Sequence, residues 1–413
     1  MDNEDVGRTR RGKEALHASV PKEQVPNAPP RRRGRGRGRG RGRREELGGS
    51  SSQSQIDIEM PSSQSASGSQ PPSVGVVQEG YDGGPSNMSL LPSFGQHIAA
   101  KIWNGGGREN TPRVLNNGKR IIDLKSALPP DVAAMGWFWN VIRASGLYPL
   151  LETNYGQVDH GLLIAFSLRW HSETSSFHLP VGEMTIALDD ISCLLHIPVG
   201  GNLLFHESLS IHQGTEYLVN YLGLEFEEIA AETKRLKSAH ITYDTLLSIY
   251  TSYLTEAKSY ANQPGEEDSM EWYRTRCIRA FLLYLVGCTL FSDKAGSSCC
   301  VVYLKYFDEL TTVNQWSWGA TALAFLYNYL GDFTKPSCTS LSGYTCLMQA
   351  WIYEHFPDIC PRDLDISYTE DRPRATRYML RQGHAIQQCY RKALDRLEVD
   401  DIRRRTSFGF QGG

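Results

Sequence analysis

The chain has no uninterrupted apolar stretch long enough to cross a lipid bilayer. Its longest apolar run, Ala280 to Phe291, has twelve residues, whereas a membrane-spanning helix needs roughly 20. The first residues, MDNEDVGRTRRGK, are charged and contain no apolar run. They do not have the pattern of a secretory signal peptide. We therefore expect no membrane partner.

Paired cysteines with the spacing of metal ligands are also missing. The nine cysteines are scattered, their number is odd, and no C-x-x-C pair occurs. A structural zinc site needs four ligands in tight geometry, and no second His/Cys pair has a suitable spacing. This cysteine usage is typical of a reducing intracellular compartment and not of a disulfide scaffold. We predict that the protein holds no metal and no cofactor.

No phosphate-binding loop of the G-x-x-x-x-G-K-[ST] type is present. Lys294 stands beside Gly296 and two serines, a composition that could also suit a phosphate cradle or a Schiff base. However, no Gly-rich turn from a strand into a helix precedes it. The favoured interpretation of residues 293–298 is a polar loop that follows a buried helix.

What the chain does have is an uneven distribution of charge. The net charge of the 413 residues is −3. Residues 1–50 contain fourteen Lys and Arg against seven Asp and Glu, and the remaining residues contain 29 against 39. The first segment thus carries a net charge of +7 and the rest −10. A basic arm on an acidic body indicates a polyanionic partner for the arm alone.

Residues 1–86 are rich in Gly, Ser, Pro, Gln and Arg. Such a segment buries too little apolar surface to offset the entropy of ordering it, so a disordered arm is predicted. Its RG tract is expected to contact RNA or DNA, because Arg binds phosphate bidentately and stacks on bases. A nuclear import signal or a solvated linker are the alternatives. The nine arginines of the tract are Arg31, Arg32, Arg33, Arg35, Arg37, Arg39, Arg41, Arg43 and Arg44.

The rest of the chain has mainly helical periodicity. The predicted fold is mainly α: a single multi-helix domain over residues 87–398 with a small β-hairpin, followed by a basic, disordered tail over 399–413. The hairpin is predicted around Val181-Gly182, and a helix is expected from Ala187, with Asp189 and Asp190 in its first turn. The other predicted helices are Val132–Ser145, Val158–Trp170, Thr242–Ala257, Met270–Phe291, Ser317–Leu330, Leu341–His355 and a basic final helix, Arg374–Leu397.

Four ordered sequence blocks between Trp137 and Leu397 resemble the plant mobile domain family, the MAIN-like, transposon-associated proteins. The first block is RW-x-x-E-T-x-x-FHLP-x-GEMT, from Arg169 to Thr185, with Leu188 and Asp190 after it. The second is FLLYL-x-G-x-x-LF-x-DK-x-G, from Phe281 to Gly296. The third is Ser317-Trp318-Gly319, and the fourth contains Trp351, Glu354, Phe356 and Pro357.

The resemblance implies a nuclear protein with a role in meristem maintenance and in transposon and gene silencing, and with nuclear proteins as partners. Some relatives are labelled aminotransferase-like or phosphatase long form. The metal-binding motifs of a metallophosphoesterase, such as GD-x-HG and GNHE, are missing from this chain. We therefore expect a non-enzymatic interaction protein. The alternative is a transposon-derived enzyme or nuclease accessory with a site near His178, Glu183 and Lys294.

The polar and aromatic residues of the blocks have a structural interpretation that we favour over a catalytic one. The hairpin would bring His178 near Glu183 as a hydrogen-bonded pair, and tryptophans such as Trp318 are most often core residues. No catalytic residue is predicted. The residues of the blocks expected to be structural are Trp170, Phe177, His178, Leu179, Pro180, Gly182, Glu183, Asp190, Lys294, Trp318 and Gly319.

Overall fold

The computed structural model describes residues 87–133, 135–227, 229–230, 236, 238–360, 362–379 and 387–402. The predicted arm over residues 1–86, with Arg31–Arg44, lies outside the described residues. So does the part of the predicted tail from residue 403 onward. The predictions for these two segments stay predictions.

Helices make up most of the described chain, which confirms the predicted fold class. The α-helices are α1 (Ile98–Trp103), α2 (Gly118–Ser126), α3 (Gly136–Ala144), α4 (His160–Ser167), α5 (Leu188–Leu195), α6 (Ile211–Leu222), α7 (Tyr243–Tyr260), α8 (Glu267–Cys288), α9 (Trp318–Phe333), α10 (Thr345–His355) and α11 (Gln387–Leu394). Shorter 3₁₀ turns include Val301–Phe307 and Leu310–Gln315. In the described part of the chain, no helix is long and apolar enough to cross a membrane.

The strands are short, and most of them tie helices together. They are β1 (Arg113–Val114), β2 (Trp170–His171), β3 (Ser176–Leu179), β4 (Gly182–Met184), β5 (His240–Thr242), β6 (Ser298–Cys300), β7 (Ser340–Leu341), β8 (Asp363–Leu364) and β9 (Tyr378–Met379). β2, β3 and β4 form an antiparallel sheet in chain order. Its second turn is the predicted hairpin. β1 pairs in parallel with β7, and β5–β6 and β8–β9 are antiparallel pairs.

The core is built around α8, whose sequence changes from polar to apolar along its length. Every residue from Cys277 to Cys288 is buried. α7 packs along this helix, and Phe281 contacts Phe138 of α3 and Tyr250 of α7 with ring centroids 5.1 and 5.4 Å apart. Burying an aromatic side chain of this size stabilises the fold by roughly 1.5–3 kcal/mol. The twelve-residue apolar run therefore lies at the centre of the hydrophobic core.

α5 begins where its sequence predicts. The backbone N–H of Ala187 donates to Asp190 Oδ2 at 2.8 Å, which satisfies a donor that the helix leaves unpaired at its start. The helix ends at His196, which has a left-handed φ of +52°. Pro198 follows two residues later, and a proline there prevents the helix from continuing.

The prediction of one helix over Arg374–Leu397 is wrong in its first part. Arg374–Arg377 is a 3₁₀ turn, and β9 follows it and pairs with β8. The Tyr378 side chain is buried, and its hydroxyl donates to Glu354 of α10. These contacts outweigh a weak helix propensity in a run that Gly383 interrupts. Of the predicted helix, the structure describes α11, Gln387–Leu394.

Candidate functional site

The sheet β2–β3–β4 places the aromatic residues of the first block in the core. Trp170 and Phe177 are register partners across β2 and β3, and their ring centroids lie 5.0 Å apart. Trp170 also contacts Tyr327 of α9 at 4.6 Å, and Phe177 stacks on Trp351 of α10 at 5.3 Å. Both side chains are almost fully buried. They join the sheet to two helices and take no part in a surface site.

The hairpin brings His178 and Glu183 together, as its geometry predicts. The two are register partners, and His178 Nδ1 donates to Glu183 Oε1 at 2.5 Å. Ser176 donates its hydroxyl to the other oxygen of the same carboxylate. The side chains of the His–Glu pair are 25% and 42% exposed, so the pair lies partly in contact with solvent.

The turn residues around this pair have simpler roles. Leu179 is buried, whereas Pro180 and Gly182 are exposed. Gly182 has a φ of +120°, a backbone conformation that only glycine adopts without strain. The tight turn after Val181 therefore depends on this glycine.

Behind His178 lies a row of imidazoles that the sequence pattern did not reveal. The ring of His171 lies 4.9 Å from that of His97 and 5.9 Å from that of His178. His97 Nε2 donates to the carbonyl of Trp170 at 2.8 Å, and its Nδ1 accepts from the Ala99 N–H at 3.0 Å. The neutral form of His97 is therefore fixed with its proton on Nε2.

Burial keeps His171 uncharged. Its side chain is 3% exposed, and burial, with smaller contributions from His97 and His178, lowers its pKa to about 3. Burial also lowers the pKa of His97. No group of three or more His, Cys, Asp or Glu side chains in the described residues is arranged to hold a metal ion.

Lys294 does not join the His178–Glu183 pair. Its Nζ donates to Asp332 at 2.9 Å, at the end of α9, and Lys335 binds the other oxygen of that carboxylate at 2.7 Å. The three residues of the hypothetical catalytic site thus divide between the His178–Glu183 hydrogen bond and a separate ion pair of Lys294 with Asp332.

Asp190 is buried at the start of α5. Besides the cap at Ala187, its Oδ1 accepts from His355 Nε2 of α10 at 3.0 Å. This one carboxylate therefore caps the start of α5 and ties that helix to α10. A charged group with two hydrogen bonds tolerates burial, whereas an unpaired one does not.

Trp318 and Gly319 fix the start of α9 against the end of α5. Trp318 is fully buried and donates its indole N–H to the Val313 carbonyl at 2.8 Å. The N–H of Gly319 donates to the Pro198 carbonyl at 2.8 Å. A Cβ at Gly319 would lie 2.9 Å from Ile191 Cγ2. Trp318 is thus a core residue that anchors the start of α9.

A cleft with a volume of about 230 Å³ opens between the loop after α1 and helix α11. Arg108 forms one wall, and its guanidinium donates to carbonyls around the end of α9, at residues 333–338. Arg391 of α11 forms another wall and lies over the ring of Trp103 at 5.0 Å. The lining residues are Ile102, Gly106, Gly107, Arg108, Asn110, Thr111, Pro112, Ile164, Leu168, Gln387 and Arg391.

Another surface feature is the apolar segment Leu203–Phe205 between α5 and α6. In this segment, the side chain of Leu203 is 68% exposed and that of Phe205 is 81% exposed. The segment is nevertheless held by hydrogen bonds. The N–H of Asn202 donates to the Gln315 carbonyl, and its carbonyl accepts from the Ser317 N–H, both at 2.8 Å. Lys305 Nζ donates to the Phe205 carbonyl at 2.7 Å. The fold thus presents two apolar side chains on a fixed backbone.

His206 directly follows this segment in the chain and contacts Tyr306. Its Nδ1 lies 2.8 Å from the hydroxyl of Tyr306. Burial, together with the nearby charge of Lys305, lowers the pKa of His206 to about 4. The imidazole is therefore neutral at physiological pH and accepts the hydroxyl proton as a hydrogen bond.

Sequence comparisons place these features in a family. The chain is 28% identical to the Arabidopsis thaliana protein MAIN-LIKE 1 over 280 residues, which are 66% of this chain and 49% of that protein. It is 28% identical to the A. thaliana protein MAINTENANCE OF MERISTEMS over 323 residues, 76% of this chain and 60% of that protein. A "Serine/threonine-protein phosphatase 7 long form homolog" from the same plant is also 28% identical, over 66% of this chain and 18% of that protein.

The chain spans about half to three fifths of the length of the MAIN-LIKE 1 and MAINTENANCE OF MERISTEMS proteins. No solved structure matches it. Residues 146–406, which contain all four sequence blocks, match the plant mobile domain. The chain belongs to the plant mobile domain family and is related to the MAIN-like proteins.

Proposed function

We propose that the protein is a non-enzymatic nuclear interaction protein. Its helical domain would bind nuclear protein partners, and its RG arm would hold RNA or DNA nearby. The biological role would be in meristem maintenance and in transposon and gene silencing. The name of one relative, MAINTENANCE OF MERISTEMS, supports the first part of that role.

The single observation that carries the proposal is the exposed pair Leu203 and Phe205 on a hydrogen-bonded segment. Exposed apolar side chains that lie close together often mark protein-binding surfaces. A segment that is already ordered loses little conformational entropy on binding, so more of the contact energy remains for affinity. A partner would therefore insert these side chains into an apolar pocket of its own.

Several polar residues of the sequence blocks are paired within the domain, which is consistent with this role. Asp190 caps a helix and binds His355, and Lys294 binds Asp332. Such pairs fix the positions of helices. They supply the rigid scaffold on which a binding surface is displayed.

The test is proximity labelling in plant cells with the full chain and with a Leu203→Ser/Phe205→Ser variant. We expect the variant to lose a defined subset of labelled nuclear proteins, because each serine removes most of the apolar contact area at its position. The matched control is Ile366→Ser, since Ile366 is also fully exposed but lies in another loop.

An unchanged set of labelled proteins in the double variant would contradict the proposed surface. Labelling confined to proteins outside the nucleus would contradict the proposed localisation. Light scattering of the purified chain separates a third case, in which the two residues join two copies of this protein.

A further inference from the structure

We propose that the cleft between the loop after α1 and helix α11 is a binding site for a single phosphoryl group, held chiefly by Arg391. The cleft has a volume of about 230 Å³. This is smaller than the roughly 300–1,000 Å³ of typical small-molecule sites. It therefore suits one charged group or one side chain and not a whole cofactor.

The positive charge beside the cleft is larger than the negative charge that the domain supplies. Arg169 lies directly after the lining residue Leu168 and is 1% exposed. It forms an ion pair with Asp395 through Nη2, but its Nε and Nη1 have no hydrogen-bond partner in the described part of the chain. Arg391 Nε is likewise buried without a partner.

Trp103 contacts both of these arginines. The guanidinium of Arg169 lies 5.8 Å from its ring centre and that of Arg391 5.0 Å. Two like charges thus lie against the same indole ring, and within the described residues only Arg169 has a carboxylate partner, Asp395. Placing two cations together with one counter-ion in a partly dry environment costs free energy, which a bound anion would recover.

Arg108 adds a third guanidinium on the opposite wall. Its hydrogen bonds to carbonyls of residues 333–338 fix its position, but carbonyl groups do not neutralise its charge. Within the described residues, only Arg169 of these three guanidinium groups has an ion-pair partner, Asp395, so Arg108 and Arg391 leave an excess of two unpaired positive charges. A phosphoryl monoester, with a charge of about −1.5 to −2 at neutral pH, matches that excess better than a carboxylate does.

The rim of the cleft offers the donors that a phosphoryl group requires. Asn110 and Thr111 line it with exposed amide and hydroxyl groups. Gly106 and Gly107 line it without side chains, so that an anion can approach their backbone. The planar fork of Arg391 can bind two phosphoryl oxygens at once.

The test measures phosphate binding to the full chain by calorimetry and by the shift of the melting temperature, against chloride at equal ionic strength. The variants are Arg391→Gln and, as matched control, Lys392→Gln, the next residue on the same helix and outside the cleft. We expect the wild type and Lys392→Gln to bind alike. Arg391→Gln should bind on the order of tenfold more weakly, because it loses a charged hydrogen bond. The RG arm is present in all three chains, so its own affinity for phosphate cancels.

A second variant, Thr111→Val, guards against loss of fold, because Thr111 is exposed at the rim. We expect it to weaken phosphate binding without a change in the melting temperature of the unliganded protein. Equal binding by the wild type, Arg391→Gln and Thr111→Val would overturn the proposal, and so would the absence of phosphate binding.

The source of the phosphoryl group is distinguished with three probes: inorganic phosphate, O-phosphoserine and a short phosphoserine peptide. Equal affinity for all three, lost in Arg391→Gln, identifies a site for a free anion. An affinity that rises from phosphate to the peptide, and that falls in the same variant, identifies a phosphorylated protein partner. Both results support the site.

Discussion

At the scale of single residues, the polar side chains of the sequence blocks divide by burial. Asp190 is buried and doubly hydrogen-bonded, whereas His178 and Glu183 bind each other at the surface of the hairpin. His171 differs from both, because it is buried among other imidazoles and without a carboxylate. A neutral histidine packs there, but a charged one would face a large desolvation cost.

This burial predicts a pH dependence of stability. The pKa of His171 is about 3 in the folded chain, whereas an unfolded histidine titrates near 6.5. The unfolded state therefore takes up a proton that the folded state refuses, so stability falls as the pH drops from about 6.5 towards 3. Between pH 6.5 and 5 the loss amounts to about 2 kcal/mol of unfolding free energy. Urea unfolding at pH 7 and pH 5 measures it.

The variant His171→Phe should reduce this pH dependence, because phenylalanine can pack among the same rings without titrating. His206, whose pKa is also lowered, would supply part of the dependence that remains. His212→Gln is the control, since His212 is exposed on α6 and stays in water in both states. A His171→Phe chain with the full acid sensitivity of the wild type would refute this explanation.

At the scale of helices and strands, the sequence predicted those elements that are stabilised by contacts between residues close together in the chain. The turn at Gly182 and the carboxylate of Asp190 lie within a few residues of the bonds that they make, so the hairpin and the start of α5 could be read from the sequence. α2 was missed, because its sequence GKRIIDLKS is largely polar. It folds because Ile121 and Leu124 are buried in the core. The strand β9, which replaces part of the predicted final helix, pairs with β8 more than ten residues earlier in the chain. This pairing could not be predicted from the local sequence.

The candidate sites likewise could be predicted only where their residues are close together in the sequence. The pair of His178 and Glu183 spans five residues and was predicted from the hairpin. The row of imidazoles joins residues 97 and 171, and the phosphate cleft joins residues 108 and 391. No periodicity relates positions so far apart in the chain, so both sites became visible only in the structure.

The contact between α5 and α9 gives a prediction about packing. In Gly319→Ala, the new methyl group would lie 2.8 Å from Val199 Cγ1 and 2.9 Å from Ile191 Cγ2. Both distances are too short for carbon atoms, so one helix must move. We expect a loss of about 1–3 kcal/mol in unfolding free energy, as is typical of overpacked cores. Chemical denaturation measures it.

The control is Gly136→Ala in the first turn of α3, where the nearest atom to a new Cβ is 3.9 Å away. Alanine favours helix over glycine by roughly 0.8–1.0 kcal/mol within a helix interior, so this variant should be as stable as the wild type or more so. If Gly319→Ala were equally harmless, α9 would not be held against α5 as closely as the structure indicates.

At the scale of the whole molecule, the basic charge is concentrated in the first 50 residues and the following part is acidic. Within the domain, many arginines are occupied by the fold. Arg374 binds Glu354 and Glu370, and Arg279 binds the carbonyls of Phe307 and Asp308. Apart from the small cleft of Arg108 and Arg391, the described part of the domain therefore offers little free positive charge for a polymer such as RNA, and the arm is the segment expected to bind it.

Deletion of residues 31–44 should abolish most retention of RNA or DNA at low salt, because it removes nine arginines. The full chain should also lose affinity steeply as salt rises, since each phosphate contact releases a bound counter-ion. Filter binding over a salt series measures both effects. Deleting the equally long, uncharged segment 60–73 is the matched control and should leave retention intact. If the chain without residues 31–44 retained nucleic acid as well as the control does, the binding would reside in the folded domain, despite its acidic charge.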